Sequence, residues 1–239
     1  MIKIPEEKST DFKNVEKVIK SLKSEKDFIE YFQNLINNYK KLDQKYSFSE
    51  SFDEQFIYDQ VKNNFELDNR SLFCIPFGIK DIFNTKVLPT TMGSEVWDGF
   101  RAGNNARLVD EIVDRGGIVF SKTTTAEFAV HYIQAGETLN PFNSSHITGT
   151  SSAGSAVSVS CGALPISLGS QTAGSIVRPS SFCGVYGFKP SFGAIDRTGV
   201  LKTADTLDTI GFLGSDIYGI RKVFYETFQK DKVTLQAFK

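Results

Sequence analysis

Forty consecutive residues, Thr138 to Val177, contain no Asp, Glu, Lys or Arg. Inside them, Thr148–Ser175 (TGTSSAGSAVSVSCGALPISLGSQTAGS) consists mostly of Gly, Ala, Ser and Thr. A soluble protein normally interleaves charges along its chain to stay wet. A long uncharged stretch must therefore be covered by the rest of the fold. Its small side chains let backbone and hydroxyl oxygens pack closely in that buried place. This points to a system of active-site loops rather than a purely apolar core.

The remaining composition excludes several function classes. The chain has 239 residues and a net charge of -1, enough for one large domain or two small ones. So balanced a charge gives no sign of a nucleic-acid partner or an anionic membrane surface. The three cysteines, Cys74, Cys161 and Cys183, are odd in number and lack CxxC spacing. The two histidines, His131 and His146, are not one helical turn apart. A disulfide framework, a metal centre and a cofactor are therefore not expected. The first residues, MIKIPEEKSTDF, lack the apolar core of a signal peptide, and no apolar run reaches membrane-spanning length. A reducing cytoplasm is the default compartment.

Hydrophobic spacing divides the chain. Residues 1–70 read as a helical segment packing on the core. Ser9 is positioned to cap a helix carrying Phe12, Val15, Ile19 and Leu22, and Ser24 with Asp27 resembles a capping box. Phe28, Phe32, Leu35, Ile36 and Tyr39 recur at helical spacing, and a third helix is expected from Asp53 to about Phe65. From residue 71 the texture changes. Leu72–Ile79, Ile118–Phe120, Leu164–Leu168, Gly184–Phe188 and Ile210–Leu213 read as short strands. Between them, Ala106–Arg115, a helix beginning at Thr125–Val130, and Ser152–Cys161 read as helices. Alternation of this kind predicts an α/β sheet. The core is expected over residues 71–228, with 229–239 as a tail.

Three elements carry chemistry. Lys80 follows an apolar strand and a Gly turn (PFGIKD), which places it at the carboxyl end of a strand, where α/β proteins build sites. Burial would lower its pKa and let it act as a base; the local alternative is a surface lysine paired with Asp81. The segment Gly149–Ser155 (GTSSAGS) lacks the Lys that a phosphate loop needs, and the apolar residues following it argue against a linker. In Gln171–Ser175 (QTAGS), a strand runs into a Gly/Ala turn ending in serine. Successive N–H groups in such a turn form an anion nest, which beside a serine is an oxyanion hole. It is not the Gly-x-Ser-x-Gly elbow. Neither histidine has a triad context, so Lys80 is the available base.

In this order the chain resembles the amidase signature family of Ser-Ser-Lys hydrolases, from about Leu72 to Gly214. The resemblance rests on PFGIKD, LPTTMGS (Leu88–Ser94), SKTTTAEFA (Ser121–Ala129), LNP (Leu139–Pro141), GTSSAGSA (Gly149–Ala156) and Gly169–Gly193. It implies a mixed β-sheet flanked by helices, incomplete at the C-terminus. It also implies Lys80 as catalytic lysine, Ser151 as a bridging serine held by a cis peptide, and Ser175 as the acyl-forming nucleophile. The backbone of Thr172, Ala173, Gly174 and Ser175 would form the oxyanion hole. The implied reaction is hydrolysis of a small-molecule carboxylic amide.

The chain departs from the family pattern at Thr150, Gln171, Ala173 and Val177, where Gly, Asp, Gly and Arg are usual; Arg178 follows one place later. None of these removes a catalytic group, and Ala173 fits if its φ stays negative. Family members usually run about twice this length. The alternative reading is therefore a truncated, non-catalytic or split amidase fragment needing a second chain, the partner being a complementary C-terminal chain or a second copy in a homo-oligomer. A third is a subunit of an amidotransferase, for which the chain offers no basic patch. Trp97 and Tyr132 are expected in the core, with Cys161 and Cys183 as buried small residues.

Overall fold

The computed structural model describes residues 10–65, 70–130 and 137–228. Helix α1 (Phe12–Ser21) is capped by Asp11, whose carboxylate accepts the Asn14 N–H at 2.7 Å. Ser9, expected in that role, lies outside the described residues. Helix α2 (Glu25–Tyr46) begins with the expected capping box: Ser24 and Asp27 each accept the other's backbone N–H. Its buried face carries Phe28, Phe32, Leu35, Ile36, Tyr39 and Leu42. Each such side chain contributes about 2 kcal/mol by leaving water. A short strand, β1 (Ser49–Ser51), precedes α3 (Glu54–Phe65), which starts where Asp53 accepts the Phe56 N–H.

Among the described residues the sheet has six strands in the order β1-β3-β2-β4-β6-β5. These are β2 (Pro76–Lys80), β3 (Ile118–Thr123), β4 (Ile166–Gln171), β5 (Tyr186–Phe188) and β6 (Thr209–Gly214). β2 runs parallel to both β3 and β4, while β1, β5 and β6 pair antiparallel, so the sheet is mixed. Among the described residues four further α-helices follow: α4 (Arg107–Asp114), α5 (Ala153–Ser160), α6 (Val177–Phe182) and α7 (Ile217–Thr227). The mixed sheet flanked by helices agrees with the expected architecture.

Several boundaries differ from those read in the sequence. Residues 72–75 form a turn, and β2 starts at Pro76 and passes through Gly78 to Lys80. Gly78 is tolerated inside the strand because a Cβ there would lie 2.3 Å from Ser167 Oγ. β3 and β4 both extend past their apolar runs into polar residues. The helix expected at Thr125–Val130 is only a 3-10 turn, Glu127–Ala129, with Phe128 and Ala129 at positive φ. Strand β1, on the sheet edge, carries no apolar alternation by which the sequence could reveal it. The tail 229–239 lies outside the described residues.

Every residue of α5 is buried. This helix packs across β2, β3, β4 and β6, and its small residues make the close approach possible. At Gly154 a Cβ would sit 2.4 Å from the Thr124 nitrogen and 2.5 Å from the Phe48 carbonyl oxygen. Buried hydroxyls find partners here, as they must: Ser155 meets Thr123 at 2.8 Å and donates to the Leu168 carbonyl, and Ser158 meets Ser167 at 2.9 Å. The middle of the uncharged stretch, 148–169, is thus covered, with α5 directly against the sheet and β4 within it, while 143–147 are exposed.

Candidate active site

The site is assembled at the end of β2. Lys80 is its last residue and is completely buried. Its Nζ donates to Ser151 Oγ at 2.7 Å and to Ser170 Oγ at 2.9 Å. Burial pushes the Lys80 pKa down to about 7, against an upward pull from the Asp208 carboxylate. At neutral pH a large fraction is therefore the free amine, the form that accepts a proton.

Asp81 is not the partner of Lys80. It forms an ion pair with Lys122 on β3 at 2.8 Å, and both side chains are fully buried. The register explains the division. Lys122 lies opposite Ile79, two residues before Asp81, and Thr123 lies opposite Lys80. Asp81 also accepts the N–H and hydroxyl of Thr91, while Lys122 donates to the Phe83 carbonyl and to Thr90 Oγ1. This network pins the loop that leaves β2. Asp208, outside the uncharged stretch, is the carboxylate that acts on Lys80.

Ser151 is fully buried and follows a cis Thr150–Ser151 peptide bond. Its carbonyl accepts the Ala126 N–H at 3.3 Å. The loop before it turns at Gly149, with φ +93°, where a Cβ would be 2.8 Å from Pro179 Cα. Only glycine fits such a position without strain.

Ser175 is 8% exposed and stands two residues before the first turn of α6. Two side chains fix its turn. Gln171 Oε1 accepts the N–H groups of Ile176 and Val177 at 2.9 and 3.0 Å. Arg178 donates through Nε to the Gly149 carbonyl at 2.6 Å and through Nη2 to the Thr150 carbonyl at 2.8 Å. The Ser175 turn is thereby joined to the loop bearing Ser151. Ala173 keeps a negative φ, as its side chain requires. The backbone N–H groups of Ala173, Gly174 and Ser175 find no acceptor among the described residues.

Sequence reading misses Ser170 and Asp208 and gives Gln171 and Arg178 no task. Ser170 is one more hydroxyl in a hydroxyl-rich run, so nothing local marks it. Gln171 stands where Asp is usual and Arg178 one place after the usual Arg, and those are their only signals. Trp97 is not core: it is 37% exposed and packs edge-on against Phe100. Tyr132 and His131 lie outside the described residues. Cys161 and Cys183 are buried, as expected. Among the described residues no acidic, His and Cys cluster suited to a metal occurs, and no helix is long and apolar enough to cross a membrane.

A surface depression of about 1030 Å³ is lined in part by Thr91, Gly93, Ser94, Thr124 and Thr125, while Lys80, Ser151, Ser170 and Ser175 do not line it. Thr125 precedes Ala126, whose N–H is bonded to the Ser151 carbonyl.

Residues 30–238 match the Amidase family. The chain is 38% identical over 160 residues to a chloroplastic/mitochondrial glutamyl-tRNA(Gln) amidotransferase subunit of Zea mays, covering 65% of this chain and 30% of that protein. It superimposes on the native peptide amidase of Stenotrophomonas maltophilia with TM-score 0.81 and 25% identity, covering 93% of this chain and 48% of that one. The corresponding glutamyl-tRNA(Gln) amidotransferase subunit of Thermotoga maritima gives TM-score 0.73 and 27% identity, covering 87% and 45%. The chain thus spans about a third of that curated relative and about half of these solved chains.

Proposed function

The chain belongs to the Amidase family, and on that premise we propose that it hydrolyses carboxylic amides through an acyl-enzyme on Ser175. Neutral Lys80 takes the hydroxyl proton of Ser151 as Ser151 takes that of Ser175. Ser175 Oγ attacks the carbonyl carbon, and the N–H groups of the 172–175 turn hold the oxyanion. The relay returns the proton to the leaving nitrogen, the C–N bond breaks, and an ester remains on Ser175. Water then gives a proton to the same relay and attacks the ester, releasing the acid and restoring Ser175. The observation that carries this reading is the 2.7 Å contact between a fully buried Lys80 and Ser151. The test is covalent labelling by a fluorophosphonate probe. Folded wild-type protein should label, and Ser175→Ala should not. Labelling that survives Ser175→Ala, or fails in folded wild type, overturns the reading.

The second reading is a subunit of an amidotransferase, favoured by the name of the 38% identical relative. The first is preferred because the net charge of -1 offers no electrostatic attraction for RNA. Ammonia transfer to glutamyl-tRNA, assayed beside simple amide hydrolysis, separates the two.

A complementary chain is part of the proposal. Among the described residues β5 pairs only with β6, and Tyr186, Phe192 and Leu207 are more than half exposed. An unpaired sheet edge and exposed apolar side chains are surfaces for another polypeptide. Activity gained on mixing with a polypeptide made from a relative's unmatched portion would support it, and full activity of the isolated monomer would remove the need for it.

A further inference from the structure

We propose that Asp208 is a positioning residue of this site, holding the start of the Ser175 turn through Thr172 and setting one fixed negative charge beside Lys80. This rests on the amide-hydrolase reading above and adds a residue that the relay does not contain. Strand register brings the two residues together. Strands β4 and β6 pair Ser170 with Ile210 and Gln171 with Thr209. One residue further along, Thr172 Oγ1 donates to Asp208 Oδ1, so the two strands stay joined past the end of the sheet. Ser170, two residues before Thr172, is the second acceptor of the Lys80 ammonium or amine.

The carboxylate is itself tightly held. Asp208 is 7% exposed. Its Oδ2 accepts the N–H groups of Thr203 and Ala204 at 2.7 and 2.9 Å, and Arg197 Nη1 stands 3.9 Å away. The Asp208 charge opposes the effect of burial on Lys80. The other groups around Lys80 carry no net charge: Ser151 and Ser170 are hydroxyls, α5 has no ionisable residue, and the Asp81–Lys122 pair is internally compensated. Arg178 is engaged with the carbonyls of Gly149 and Thr150. Asp208 therefore does two things. It braces the first residue of the nucleophile turn, and it keeps the lysine basic enough to draw a proton despite its burial.

The test is an NMR titration of Lys80 in full-length protein labelled with ε-13C lysine, the resonance being assigned with Lys80→Met. Asp208→Asn keeps an oxygen for Thr172 and removes the charge. Its Lys80 midpoint should fall by roughly half to one pH unit. An unchanged midpoint in a folded Asp208→Asn protein overturns the charge role. Thr172→Val keeps the charge and cuts the brace. It should leave the midpoint in place and slow fluorophosphonate labelling about tenfold; unaltered labelling overturns the brace. If Asp208→Asn does not fold, Arg197→Met serves instead. It leaves the carboxylate, removes its neighbouring cation, and should raise the midpoint; no rise overturns the charge role. The titration needs no catalysis, so a protein that titrates as expected but never labels refutes the hydrolase reading and not the placement of Asp208's charge.

Discussion

Arg178 Nε lies 2.6 Å from the carbonyl oxygen of Gly149, so the helix that begins two residues after Ser175 is fastened to the loop that carries Ser151. The two serines are 24 residues apart in sequence, with α5 and β4 between them. The guanidinium closes that gap with a planar fork of donors onto two successive carbonyls. Lysine cannot reproduce it.

Arg178→Lys should therefore remain folded but label slowly at Ser175. A displacement of about 1 Å between reacting groups costs up to ~100-fold in rate. Labelling kinetics beside a thermal melt check this: a rate loss of tenfold or more with a small change in Tm is the expected outcome.

The pH dependence follows from Lys80, whose pKa burial lowers from the ordinary 10.5 to about 7. The base is the deprotonated form, so labelling should rise with pH and reach half its plateau near 7. Because the folded value lies below the unfolded one, the unfolded chain binds the extra proton between about 7 and 10.5, and stability gains from this group as pH rises through that window. Lys80→Met should abolish the rise and lower labelling about 100- to 10,000-fold. A rate profile flat between pH 6 and 8 would contradict the assignment.

Glu16 links the N-terminal helix to α7. Burial alone would raise its pKa, but bonds from Lys20, Lys222 and Tyr218 outweigh burial and bring it from 4.5 down to about 2. The sign is that of a depressed acid: the stabilisation is fully present above about 4.5 and is lost as pH falls toward 2. Glu16→Gln should cost about 2–3 kcal/mol at pH 7 and much less at pH 2. Urea melts at the two pH values measure the difference.

Gly149→Ala places a Cβ 2.8 Å from Pro179 Cα at a φ of +93°. The neighbouring atoms are backbone and cannot swing aside. A loss of about 1–3 kcal/mol is expected, with loss of labelling, since this is the loop that presents Ser151. Gly99, also at positive φ but with nothing within 4 Å, is the control: alanine there should cost only the backbone term, on the order of 1 kcal/mol, and leave labelling intact.

What can be read in advance tracks how local each signal is. The Ser24–Asp27 capping box and the apolar stripe of α2 are short-range patterns, and both appear as expected. Strand β1 has three polar residues and offers no pattern to read. The polar ends of β3 and β4 escape for a related reason: the ladder continues there through backbone bonds, with Ser121, Lys122 and Ser170 as side chains. Lys80 stands out by its place after a strand, but the choice between a surface lysine and a buried one lies beyond local sequence. It depends on where Asp81 points.

Hydrophobic spacing and the absence of charge act through near neighbours and through solvation. That is why the helical periodicities, the burial of the middle of the charge-free stretch, and the types and order of Lys80, Ser151 and Ser175 are already present in the linear chain. The pairings arise only on folding. Asp81 goes to Lys122, Lys80 to Ser151 and Ser170, Arg178 to Gly149, and Thr172 to Asp208. These contacts join residues as far as 90 positions apart, between Lys80 and Ser170. They follow from strand register and helix packing, in which a shift of one residue would exchange every partner.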